Sequence, residues 1–412
     1  MTTFSIFSTP LRRPRFASVA AMFALFSAFH CEANEGYELL GMGPVQQGQA
    51  GAGAASPQDA TWITLNPAGI VDLERRFDVS YETLLARRTL RPWGPIGIPF
   101  ANKFAGTMRD DTPVFIPQIG VIAPGKNGTF GFGLFGMSGT GIDYENSRTT
   151  LGALLDHGDR RAAYYIAKIP VAYAHEFDNG WAVGVALHGN WTRLRTDSLT
   201  LRFTPAEADN DWDDALGIGL QLGVYKRWEK WGFGAAYSTR QWMFDFNQYA
   251  DALRYNLDLP RMFVAGLAYE ATPRLEFLLD YKFVDYDGIP QLGKLPITGG
   301  LGWDDQHVVK FGANWKAGGR WTLRAGFSYG ESPLDNDVVF ANALFPATTR
   351  YHGAFGATYR INKRHDLHFS FLHAFEREMT DNGRGDLFSI VGQGTKISIE
   401  ADSFTVGYTY KF

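Results

Sequence analysis

Strict two-residue alternation, sustained over nine or more positions, is the feature of this sequence that most limits its fold. In Ser403–Phe412 (SFTVGYTYKF), Phe404, Val406, Tyr408, Tyr410 and Phe412 share one face, and Thr405, Gly407, Thr409 and Lys411 share the other. That is the period of an extended strand. Trp321–Tyr329, Leu275–Phe283 and Val309–Trp315 repeat the pattern, with Arg324, Glu276, Asp280, Lys282 and Lys310 on the second face. Strands of soluble sandwiches usually stop near five or six residues. The longest of these segments reach the length of a tilted strand that crosses a membrane, about 9–11 residues. An apolar, aromatic face opposite a small, polar one is what a strand between lipid and a polar lumen requires.

Tight reversals rich in Gly, Asn, Asp and Pro separate such strands at Pro124–Gly128, Asp178–Gly180, Trp228–Trp231, Thr272–Arg274, Ala317–Arg320 and Asn362–Arg364. Longer polar stretches fall near 91–110, 142–161, 200–216, 245–258, 286–304, 333–350 and 379–402. Six short turns and seven long connections join fourteen strands, the last expected over 403–412. Lipid cannot hydrogen-bond a sheet edge, so only closure satisfies every backbone group. The expected fold is an all-β, fourteen-stranded antiparallel transmembrane barrel. An even count puts both ends of the barrel on the side of the short turns. Trp228, Trp231, Trp315, Trp321, Tyr408 and Tyr410 flank turns, as girdle aromatics do. Gly (46 residues) and aromatics (15%) fit the same class, and a net charge of −4 excludes a nucleic-acid surface.

The N-terminus sets the compartment. Arg12, Arg13 and Arg15 precede the apolar stretch Phe16–Phe29, which is too short to span a bilayer and ends at Cys31-Glu32-Ala33. Residues 1–33 read as a signal peptide, with Asn34 as the first mature residue. The sole cysteine leaves with it, so the mature chain has no thiol chemistry. Residues 34–74 do not read as a strand. Small residues crowd positions 50–56, and Asn66-Pro67-Ala68-Gly69 closes the segment. Pro67 disfavours helical geometry at Asn66, and Gly69 permits a turn. A segment this long can fold back and obstruct a fourteen-stranded lumen. The domain reading is therefore 1–33 signal peptide, 34–74 hatch and 75–412 barrel.

The same residues carry a family resemblance. Gly48–Gly69, with Ala60-Thr61 and the Asn-Pro-Ala-Gly box, resembles the hatch of the FadL/OmpP1/TodX outer-membrane transport family. Gly131–Gly141 (GFGLFGMSGTG) is similar to that family's third strand, Lys282–Tyr286 to a strand end, Trp321–Pro333 (WTLRAGFSYGESP) to a signature, and Gly407–Phe412 to its ending. The similarity runs over 37–412. It implies a passive, ATP-independent channel of the outer membrane that takes up long-chain fatty acids, aromatic compounds or other hydrocarbons. It also implies lateral release into the membrane at an inward kink of the third strand, faced by the hatch box. Carried onto this chain, the hatch contact is Asn66, Pro67, Ala68 and Gly69, and the exit is Phe135, Gly136, Met137, Ser138 and Gly139. Tyr286 stands where the family usually has Trp.

The inward charges Lys310, Arg324, Glu276, Asp280, Lys282 and Arg360 are expected to anchor the hatch, because buried charges need partners. No cofactor or metal set is expected: His-Glu-x-x-His and cysteine ligands are both missing. His368 with Ser370 or Ser328 is the one imaginable catalytic set, but His368 and Ser370 stand two apart on one strand with no orienting acid. The acidic loop Glu207–Asp214 is expected outside, solvated or bridged by divalent cations to lipopolysaccharide phosphates. Expected partners are hydrophobic small molecules, lipopolysaccharide and outer-membrane lipid, and the assembly machinery, with no nucleic acid and a monomeric barrel. The alternatives are a structural or adhesive barrel and an outer-membrane hydrolase.

Overall fold

The computed structural model describes residues 35–91, 107–144, 160–196, 212–247, 249, 253 and 255–412. The signal-peptide reading and residues 207–211 of the acidic loop lie outside them. Fourteen long strands follow one another around a closed antiparallel sheet. They are β1 Arg76–Arg91, β2 Val114–Pro124, β3 Thr129–Tyr144, β4 Arg160–Glu176, β5 Trp181–Thr196, β6 Asp213–Trp228, β7 Trp231–Ser238, β8 Met262–Thr272, β9 Leu275–Val284, β10 Gln306–Gly318, β11 Trp321–Gly330, β12 Tyr351–Arg360, β13 His365–Thr380 and β14 Lys396–Lys411. Two short strands, Met108–Asp110 and Trp242–Met243, pair with β1 and β6. Closure comes from β1 and β14, which pair without a break from Arg76↔Lys411 to Arg91↔Lys396. No described helix is long and apolar enough to cross a membrane.

The outward apolar band is the one that the alternation implies. Tyr81, Phe130, Leu187, Leu216, Phe311, Phe369 and Phe404 are exposed on the outer wall. Trp181, Trp228, Trp231, Trp315, Trp321 and Phe412 are exposed near the short turns, at the lower interface. In barrels of this class the short turns face the periplasm and the long loops the exterior.

Toward the long loops the polarity of the wall reverses. Along β14 the inward face changes from Thr409 and Thr405 to Ala401, Ile399 and Ile397, while Asp402, Glu400 and Lys396 take the outer side. β1 does the same: Leu84, Ala86 and Leu90 are buried within, and Arg87 and Arg91 lie outside, ion-paired to Glu400, Asp402 and Glu378. The outer face there meets water, and the lumen there is apolar apart from the buried Arg88–Asp110 ion pair. This reversal corrects one expectation: β14 begins at Lys396 rather than at 403, because its upper half carries no aromatic outer face. The connection before it shrinks to a loop bearing a short helix, Leu387–Gly392. Likewise β6 begins at Asp213 and β7 ends at Ser238.

Residues 35–73 lie inside the ring of strands and are largely buried. They form α1 (Gly43–Gln47), α2 (Trp62–Leu65) and a 3-10 turn, Pro67–Asp72. Asn66 is extended (φ −152°, ψ 99°), as a residue before proline should be, and its side chain accepts the Ala68 N–H.

Candidate functional site

The lower lumen holds this inner segment through side chains that point in from the wall. Asp280 accepts from the backbone N–H groups of Gly53 and Ala54 at 2.8 and 2.9 Å. Ser56 donates to Glu276, and Arg324 donates to the Gln58 side chain and to Thr358. The Gln47 amide donates to Glu82 and Ser403, and its oxygen accepts from Ser370 and Thr405. Lys282 bridges Glu35 and Glu38 at 2.9 and 2.8 Å, and Lys310 reaches Glu35 at 2.7 Å. Of the six inward charges, Arg360 alone sits at the mouth, half-exposed and 3.4 Å from Asp366. His368 meets Thr358 and Thr409, and Ser370 meets Gln47, so neither belongs to a nucleophile–base pair.

Burial alone would raise the Glu35 carboxyl, but Lys282 and Lys310 outweigh it and lower it to about 2. This carboxylate therefore contributes stability above its ordinary value of 4.5, and the contribution is lost as pH falls from there through about 2. Glu35→Gln leaves Lys310 buried without its carboxylate. It is expected to cost about 3 kcal/mol at pH 7, by the usual penalty for breaking a buried pair. The midpoint of the heat-modifiable gel shift measures this, and the gap from wild type should close near pH 2.

The Asn-Pro-Ala-Gly box is seated on the wall of β5–β7. Asn66 donates to the carbonyls of Ala54 (3.0 Å) and Val224 (3.1 Å). Gly184, Gly223 and Gly234 leave the room it fills: a Cβ at Gly184 would lie 2.3 Å from Ala68 N, and one at Gly223 2.3 Å from Asn66 Oδ1. The polar atoms of Asn66 are thus engaged here, not at Phe135–Gly139 as the resemblance implies. Gly69 packs on Pro57.

The wall itself is interrupted higher up. The β2–β3 ladder runs from Pro124↔Thr129 to Gln118↔Phe135 and stops. Beyond it Val114–Pro117 pair with β1, and β3 pairs with β4 through a register shift between Gly136 and Ser138. The opening is closed above by Asp110, on the short strand beside β1, which accepts from the Asp143 N–H at 3.1 Å. In place of a ladder bond, Met137 O accepts from the Leu39 N–H of the inner segment at 3.1 Å. The Ile116 side chain reaches into the space that Gly136 leaves: a Cβ there would lie 2.5 Å from Ile116 Cγ2. Phe135 is buried, its ring lying over Gly133 and Gly120. Ser138 and Gly139 continue the strand past the shift.

On the inner side of this opening lies a large apolar cluster. Tyr37, Met42, Phe135, Met137, Tyr164 and Ile166 join Tyr286, Trp303, Val339 and Phe345 from the long-loop end. Tyr37, Tyr286 and Trp303 meet with ring centroids 5.1–6.2 Å apart. Tyr286 donates to Glu35 O, which fastens the inner segment to β9's upper end. Between segment and wall is a cavity of about 60 Å³, lined by Leu39, Met42, Met137, Met262 and Val264, with Lys168, Lys282 and Lys310 at its polar side. Lys282 and Lys310 are ion-paired. Lys168 is buried and forms no hydrogen bond or ion pair among the described residues. It was legible in principle, as the single charge in the inward run Tyr164, Ile166, Lys168, Pro170, Ala172.

Residues 36–412 match the family described as outer membrane protein transport protein (OMPP1/FadL/TodX). No curated protein matches in sequence. Among solved structures, the chain is similar to the toluene transporter TodX of P. putida (15% identity, 90% of this chain and 99% of that one, TM-score 0.68). It is also similar to a Pseudomonas aeruginosa FadL homologue (14%, 92% and 100%, 0.69) and to the CymD monoaromatic hydrocarbon channel (20%, 91% and 99%, 0.63). These likenesses establish the shared barrel fold. With the family match over nearly its whole length, the chain belongs to the OMPP1/FadL/TodX family of outer-membrane channels for hydrophobic substrates.

Proposed function

We propose that this barrel passes amphipathic hydrophobic compounds from the cell exterior into the outer membrane by lateral release. After loss of residues 1–33, residues 34–74 act as a hatch that closes the lumen to ions, with Asn66–Gly69 as its seat. A ligand enters among the long loops and loses water among the aromatic side chains of the inner cluster, gaining roughly 25 cal/mol per Å² of apolar surface buried. It leaves between β2 and β3 at Phe135–Gly139. The interrupted ladder beside that cluster is the observation that carries the reading, because a continuous barrel wall offers no apolar exit at mid-height. Lateral exit delivers cargo to lipid without passage through periplasmic water. Neither the fold nor the lumen supplies a need for energy coupling: transfer runs down a gradient.

Lys168 bears on the cargo. Glu38, the nearby carboxylate, is held by Lys282; a buried ammonium without an ion-pair partner of its own is costly, and an anionic headgroup would supply one. Lys168 therefore favours a long-chain carboxylate over a neutral hydrocarbon. Lys168→Met should weaken binding of a long-chain carboxylate by tenfold or more and leave a matched alkane or alkylbenzene unaffected. Equal loss for both ligands, or none for either, would remove Lys168 from recognition. The channel reading is tested separately by locking the wall between β2 and β3.

A further inference from the structure

The outer wall carries a cationic site just where the lipid band ends on β5. Outward positions there run Trp181, Val183, Val185, Leu187, Gly189 and Trp191, then Arg193 and Arg195. From the interfacial Trp181 to Arg193, at about 3.3 Å per residue and a tilt of about 45°, the strand climbs roughly 28 Å. The apolar band of such barrels is about 25 Å tall. Both guanidiniums thus stand at the outer headgroup level. They are held over one indole: Arg193 lies 5.0 Å and Arg195 4.7 Å from the Trp212 ring, which also stacks on Tyr165 at 5.1 Å. Cation–π contact of this kind fixes an Arg without consuming its N–H donors.

Elsewhere on this rim the charges neutralise one another. Arg87 pairs with Glu400 and Asp402, and Arg91 and Lys396 pair with Glu378. At β5 they do not. Arg193 has Asp214 at 3.6 Å, and that carboxylate also takes a hydrogen bond from Trp191. Arg195 has no ion pair among the described residues; the Nε of each arginine is buried, which leaves the terminal amino groups as the donors for an outside ligand. Two guanidinium forks at headgroup height, one of them uncompensated, match a phosphate monoester anchored in the outer leaflet.

We propose that Arg193, Arg195 and Trp212 bind a glucosamine phosphate of lipopolysaccharide, docking the glycolipid on the β4–β6 wall. Purified barrel in detergent, titrated in native mass spectrometry with bisphosphorylated lipid A and with its dephosphorylated form, tests this without any variant. Wild type should bind the phosphorylated lipid at least tenfold more tightly. Arg193→Gln/Arg195→Gln should lose that preference, whereas Arg91→Gln, on the neutralised rim, should keep it. Equal binding of the two lipids by wild type would overturn the proposal. So would a preference that survives the double substitution, or displacement of lipid A by an equimolar amount of inorganic phosphate.

Discussion

A barrel carrying Gly184→Val and Gly223→Val is expected to conduct ions where the parent barrel is closed. Both glycines face inward, against the 3-10 turn that begins at Pro67. A Cβ at Gly184 would sit 2.3 Å from Ala68 N and 2.5 Å from Pro67 C; one at Gly223 would sit 2.3 Å from Asn66 Oδ1 and 3.0 Å from Ala68 N. All but Asn66 Oδ1 are backbone atoms in a segment whose φ at Pro67 is fixed, so they cannot swing aside as a side chain would. Overpacking costs about 1–3 kcal/mol per site, and the strands of a closed ladder yield less readily than the inner turn. The turn should therefore lift from the wall, and Asn66 should lose its bond to Val224 O. Single-channel conductance in planar bilayers should rise at least tenfold. Gly189→Val is the control, since a Cβ there meets nothing nearer than 3.7 Å. A folded double variant that stays closed would show that this contact does not seal the lumen.

What the sequence made legible follows from which solvent each face meets. Inside the lipid band the two faces see opposite environments, so alternation is strong, and the strands around Trp321, Leu275 and Ser403 could be read directly. Above the band the outer face turns charged and the lumen apolar. Ile397, Ile399 and Ala401 then alternate with Lys396, Glu400 and Asp402, which looks like a polar loop when only a lipid-facing stripe is sought. The inward charges were identifiable by parity, but their partners were not. Glu35 and Lys310, or Gln58 and Arg324, meet only because the inner segment folds back across the lumen. The seat of Asn66 on Gly184 and Gly223 was hidden for the same reason. These glycines look like ordinary strand glycines until the opposing backbone is placed against them. The wall interruption was half-visible: the glycines of Gly131–Gly141 mark a weak strand, but the reach of Ile116 into the space beside Gly136 is a contact across strands that no local pattern encodes.

That contact offers the most direct test of lateral release. A Cβ at Gly136 would stand 3.8 Å from Ile116 Cβ, the usual separation across a disulfide. The one native cysteine, Cys31, falls within the expected signal peptide, so Ile116→Cys/Gly136→Cys introduces the only thiols of the mature chain. Uptake of a radiolabelled long-chain carboxylate by cells bearing this variant should be measured with the bridge formed and again after reduction. Release between β2 and β3 predicts at least a tenfold fall in the oxidised state and full recovery with reductant, at constant protein level. Undiminished uptake with the disulfide formed quantitatively would contradict it and place the exit through the lumen to the periplasm.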